Sequence, residues 1–111
     1  MPMSDRMLQV NEKVQRILAR LFSEEIEIPL EYFISIVKVD CAPNLRTADV
    51  YISVLPFNRK DDAIKFLIGH RQIIQGVFGK KANLKYTPIL KYIIDESEEH
   101  ADQIYQMMDN L

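Results

Sequence analysis

From Ser4 to Ile26 the apolar positions Met7, Val10, Val14, Ile17, Leu18, Leu21 and Phe22 recur at helical steps. They form one stripe on a helix of 3.6 residues per turn. Ser4 is placed to cap it, and Lys13, Arg16 and Arg20 lie on the opposite face. Pro29 ends the helical region, because it drives Ile28 out of the helical conformation. Residues 33–40 and 48–55 read as strands. In the second, Ala48, Val50, Ile52 and Val54 alternate with Asp49, Tyr51, Ser53 and Leu55. That period of two marks a sheet with one buried face. Cys41 to Leu45, with Pro43 and Asn44, reads as a turn, which makes the pair an antiparallel hairpin. Residues 61–78 read as a second helix with Asp61 as cap and Ala63, Ile64, Leu67, Ile68, Ile74, Val77 and Phe78 on its apolar face. Gly69 inside it costs about 1 kcal/mol relative to Ala and marks a bend. Gly79 is placed as the C-terminal cap. Residues 89–94 read as a third strand. A last helix is predicted over 98–110, capped by Ser97, with Ala101, Ile104, Tyr105 and Met108 on one stripe. The order helix, strand, strand, helix, strand, helix predicts a two-layer α+β sandwich, with helices on one face of a three-stranded sheet.

The 111 residues suffice for one domain, spanning 1–111. Cys41 is alone, so no internal disulfide or Cys-based zinc cluster can form, and a reducing cytoplasm suits the chain. No apolar run approaches a membrane span, and the N-terminus lacks the layout of a signal peptide. Charge is distributed unevenly. Residues 1–94 hold all 14 Lys and Arg and 10 of the 16 acids, a net of +4; residues 95–111 hold the other six acids, a net of -6. Residues 59–91 alone reach +6, with eight Lys or Arg against two Asp. Charge by itself leaves two readings open: a nucleic-acid surface, or solvated helix faces that differ in sign.

Catalytic chemistry finds little support. His70 and His100 are far apart and sit in no metal-ligand spacing, so no metal is expected. Cys41 has no histidine near it in sequence. There is no phosphate-binding Gly-rich loop of the Walker or dinucleotide type, and no cofactor is expected. Glu98 and Glu99 are better explained as charges favoured at a helix N-terminus than as a catalytic pair. The chain does not read as an enzyme. Gly76-Val77-Phe78-Gly79 spells GxxG, the backbone-clamping loop of KH domains, with Lys80 and Lys81 following. Val77 and Phe78 also fit the apolar stripe of the second helix, which favours a capped helix end over a loop.

The stretch Val39 to Leu55, VDCAPNLRTADVYISVL, resembles the hairpin of the ribosome-binding factor A family. There a short polar turn leads into D-L-x-x-A and then V-Y-V-S; here Asn44-Leu45-Arg46-Thr47-Ala48 precedes Val50-Tyr51-Ile52-Ser53. Ile28-Pro29 stands where the family has Asp-Pro, and Pro88 to Asp95 is similar to its P-x-L-x-F-x-x-D strand. The likeness runs from Met7 to Leu111. It implies a type II KH-like fold, binding to the small ribosomal subunit and its 16S ribosomal RNA in late maturation, and a role in growth in the cold. It also implies a kink in the long helix at His70-Arg71-Gln72, where the family has Ala-x-Gly. This chain has neither residue there, but Gly69 stands one position earlier, so a bend needing positive φ is expected at it. On this reading Arg46, Arg59, Lys60, Lys65, Arg71, Lys80, Lys81 and Lys85 are the expected RNA contacts, with Lys13, Arg16 and Arg20 a weaker patch. A monomer in the cytoplasm is expected. The alternative is an α+β protein-interaction domain that docks through its acidic C-terminal helix.

Overall fold

The computed structural model describes residues 4–96, so the helix expected over 98–110, with its cap Ser97, lies outside the described residues. The elements run α1 (Asp5–Glu24), β1 (Phe33–Cys41), β2 (Thr47–Leu55), a 3-10 turn (Phe57–Arg59), α2 (Lys60–Gly69), α3 (Arg71–Ala82) and β3 (Ile89–Ile94). The sheet order is β1-β2-β3. β1 and β2 pair antiparallel, and β3 pairs parallel to β2. Parallel pairing needs a crossover rather than a tight turn, and α2 with α3 supplies it.

α1 starts where Ser4 Oγ accepts the Met7 N–H at 3.2 Å. It buries Val14, Leu18, Leu21 and Phe22 against the sheet. It stops at Glu24, earlier than Pro29 requires. The N–H groups of Glu25 and Ile26 both turn back to the Leu21 carbonyl, at 2.9 and 3.2 Å, and close the helix. Two polar residues of α1 reach β1: Asn11 Oδ1 accepts the Cys41 N–H at 2.8 Å, and Gln15 Nε2 donates to the Val37 carbonyl at 3.1 Å.

The Val37 contact sits at an irregularity in the hairpin. Ile36 pairs with Ile52 and Lys38 with Tyr51, so Val37 is an extra residue. The bulge has a clear cause in the pattern. Ile34 and Ile36 are out of phase with Val39 and Cys41, and one inserted residue brings all four to the same face. Cys41 is therefore the buried end of β1 and not a turn residue.

That face meets Ala48, Val50, Ile52 and Val54 of β2 in the core, all fully buried, with Leu67, Ile74 and Phe78 from the crossover helices. Truncating any of these large side chains to Ala would cost about 2–5 kcal/mol. Leu90, Tyr92 and Ile94 of β3 pack against the same core. The helices thus cover one face of a three-stranded mixed sheet.

The long helix breaks at His70 (φ -108, ψ 10), and not at a positive φ. Gly69 is the last residue of α2 and keeps negative φ, so the steric argument for glycine there does not hold. The His70 side chain holds the break: Nδ1–H donates to the Phe66 carbonyl at 2.9 Å, and the ring stacks on Phe66 at 4.1 Å between centroids. Two caps also differ from expectation. Asp61 lies in the first turn of α2, whose N-cap is Arg59. Gly79 is interior to α3, which ends at Asn83 in the left-handed conformation (φ 49). Asn tolerates that region well enough to take the place of glycine.

Candidate nucleic-acid interface

Gly76-Val77-Phe78-Gly79 lies entirely within α3 and is not a loop. Phe78 is fully buried in the core, which forbids a loop there. The two glycines instead lie on the side of α3 that faces β3. There they line a groove of about 800 Å3 together with Arg71, Gln72, Gln75, Lys80, Thr87, Ile89 and Leu90. A glycine at each point leaves the helix backbone open to close approach: a Cβ at Gly76 would meet nothing within 4 Å, and one at Gly79 only the Thr87 side chain at 3.6 Å.

Gln75 spans this groove. Its Nε2 donates to the Pro88 carbonyl at 2.8 Å, and its Oε1 accepts the Leu90 N–H at 3.2 Å. The side-chain amide thereby ties α3 to the main chain at the start of β3 and holds the groove's width. The groove continues in both directions. Towards α2, a smaller hollow of about 210 Å3 shares Arg71 and Leu90 and adds Ile64, Ile68 and Tyr92. Burial pushes the Tyr92 hydroxyl far above its ordinary range, so that phenol stays neutral. Towards the hairpin turn, a cleft of about 700 Å3 shares Thr87 and Ile89 and adds Arg46, Lys85 and Tyr86.

Local structure explains that last meeting. Leu45 takes a left-handed conformation (φ 59), Asn44 Oδ1 accepts the Arg46 N–H at 3.0 Å, and the Arg46 carbonyl accepts the Ile89 N–H at 2.9 Å. The turn between β1 and β2 is thus fastened to the first residue of β3, and Arg46 comes beside Lys85 and Tyr86.

The eight expected contacts divide into two sets. Arg71 and Lys80 share the groove, and Arg46 and Lys85 share the adjoining cleft. Among the described residues no carboxylate pairs with any of the four. The first turn of α3 starts at Arg71, so the positive end of that helix adds to the field there. The other four do not join this set. Arg59 pairs with Asp62 at 3.3 Å, and Lys60 lies over the Phe57 ring at 4.5 Å. Lys81 bonds to Glu25 at the end of α1, and Lys65 is exposed on α2 outside these hollows. In the weaker patch on α1, Arg20 pairs with Glu24 at 3.5 Å.

Two participants went unnoticed in the sequence. Gln75 carried a signal, a polar residue between the core positions Ile74 and Phe78. Tyr86 carried another, a lone aromatic in a polar connection beside Lys85. Among the described residues no cluster of His, Cys, Asp or Glu could hold a metal ion. Burial, and secondarily Asp40, pushes the Cys41 thiol up, which disfavours the thiolate.

The family model for ribosome-binding factor A matches residues 6–108 of this chain. The chain belongs to the ribosome-binding factor A family. It is 31% identical to the ribosome-binding factor A of Opitutus terrae over 110 residues, covering 98% of this chain and 89% of that one. It is 33% identical to that of Agathobacter rectalis over 106 residues, covering 94% and 88%. Its fold is similar to the crystal structure of ribosome-binding factor A from Thermus thermophilus, with a TM-score of 0.69 at 12% identity over 79% of this chain and 94% of that one. It is also similar to a Thermus thermophilus ribosome-binding factor A model fitted into a cryo-EM map of a 30S complex, with a TM-score of 0.66 at 15% identity, covering 78% and 91%. The fold matches the family's KH-like fold, and the family's members are ribosome assembly factors and not enzymes. No helix among the described residues is long and apolar enough to cross a membrane.

Proposed function

We propose that this chain acts in maturation of the small ribosomal subunit by occupying its ribosomal RNA with the cleft between α3, β3 and the hairpin turn. The observation that carries this reading is the set of four cations, Arg46, Arg71, Lys80 and Lys85, that line one continuous depression without carboxylate partners among the described residues. Family membership supplies the ribosomal context. The 30S complex of the Thermus thermophilus relative is consistent with it. The mechanism is occupancy: the domain docks in the cytoplasm on immature 16S RNA, holds one arrangement of it, and leaves as a monomer. Phosphate contacts supply most of the affinity and position the domain without reading sequence.

Filter binding of the chain to small-subunit RNA across a salt series tests this. Four phosphate contacts give a slope of log K against log salt of about -3. Absence of RNA retention at low salt would reject the reading and leave the protein-interaction alternative.

A further inference from the structure

Tyr86 is 62% exposed, on a connection whose two ends are fixed. On one side Asn83 closes α3 in the left-handed conformation and Leu84 packs against the core. On the other Pro88 is fully buried, and its carbonyl is held by Gln75 at 2.8 Å. Lys85 and Tyr86 are therefore presented on a fixed support. The Lys85 ammonium stands 5.6 Å from the Tyr86 ring centroid, and Arg46 lines the same cleft.

An exposed ring flanked by two cations favours a ligand with both a π-face and a negative charge. A nucleotide has both. In a continuous duplex the base faces are covered by their neighbours, and only an unpaired base can lay its face on a side chain. We infer that the Arg46–Lys85–Tyr86 cleft is a site for an unpaired nucleotide, with the base stacked on Tyr86 and the flanking phosphates on Arg46 and Lys85. This rests on the RNA reading above and deepens it. The RNA bound is a helix that carries a bulged or single-stranded nucleotide, with its phosphate backbone along the Arg71–Lys80 groove.

The test uses the full chain and two RNAs, an uninterrupted blunt-ended duplex and the same duplex with bulged nucleotides, one of them 2-aminopurine. Anisotropy reads affinity, 2-aminopurine fluorescence reads stacking, and circular dichroism confirms that the variants fold. The wild type should prefer the bulged RNA and quench the probe. Tyr86→Ala should weaken bulged binding by about 5- to 100-fold, abolish the quench and remove the preference for the bulged RNA over the duplex, while Tyr86→Phe keeps both. Equal binding of the two RNAs with no effect of Tyr86→Ala would overturn the inference and leave the RNA reading standing. A loss in Tyr86→Phe equal to that in Tyr86→Ala would also overturn it, since the hydroxyl and not stacking would then matter. If neither RNA binds even at low salt, the RNA reading itself fails.

Discussion

Two hollows among the described residues differ in the charges that line them. The groove between α3 and β3, with its extension to the hairpin turn, is lined by Arg71, Lys80, Arg46 and Lys85. The second hollow, about 520 Å3, lies between the end of α1 and the start of β1 and includes Phe22, Ile26, Ile28, Leu30 and Phe33. The segment that forms much of it, residues 23–32, carries Glu24, Glu25, Glu27 and Glu31 and no Lys or Arg. Leu30 is 98% exposed there. Shape and apolar lining therefore do not distinguish an RNA site from another concavity. The cations do: Arg46, Arg71, Lys80 and Lys85 line the first and no Lys or Arg lines the second, so on the proposed reading a polyanion is drawn to the first alone.

The largest effect should come from what the two hollows share. Val50 is fully buried in the central strand, between Val39 and Tyr92. Val50→Asp should cost about 4 kcal/mol or more, since an unpaired carboxylate is forced into the core, and both hollows should be lost with the fold. Thermal melting checks this; a variant melting within a few degrees of wild type would mean that the strand register is wrong. Next comes the contrast itself. Arg71→Glu with Lys80→Glu should weaken RNA binding at least about tenfold and flatten the salt slope by nearly two units, with normal circular dichroism. Glu27→Lys with Glu31→Lys should weaken nothing. Equal effects from the two double variants would erase the distinction between the hollows.

Lys81 sharpens the boundary. It neighbours Lys80 in sequence but bonds to Glu25 across the α1–α3 contact. Both side chains are partly exposed, so Lys81→Glu should cost only about 0.5–1 kcal/mol of stability and change RNA affinity far less than Lys80→Glu does. Titration with denaturant and binding measured side by side separate the two residues. The smallest effect is expected at Gly69, where a Cβ would meet nothing within 4 Å and φ is negative. Gly69→Ala should raise stability by about 0.5 kcal/mol and leave RNA binding intact, because His70 and not Gly69 makes the break. A fall in melting temperature would place the strain at Gly69 after all.

Periodicity revealed the scaffold: the stripe of α1, the alternation of β2 and the apolar face of the long helix were each legible, because each is a local repeat with one buried side. What stayed hidden depended on contacts between distant residues. The bulge at Val37 is visible only once Val39 and Cys41 are known to face the core with Ile34 and Ile36. The cap moved from Gly79 to Asn83 because tertiary packing of Phe78 and Ala82 carries α3 further than local propensity indicates. Among the cations, composition marked the basic segment but could not sort it. Arg59, Lys60 and Lys81 have local or cross-helix partners that consume them, whereas Arg46 joins Lys85 only through the bond from Ile89 to the Arg46 carbonyl.

Ultraviolet cross-linking of the chain to small-subunit RNA, with the linked peptides mapped by mass spectrometry, addresses the central claim most directly. If the basic cleft is the RNA face, cross-links concentrate in residues 71–87 and around Arg46, with Tyr86 among them, and residues 24–33 stay free. Cross-links confined to residues 24–33, with none in 71–87, would contradict the account.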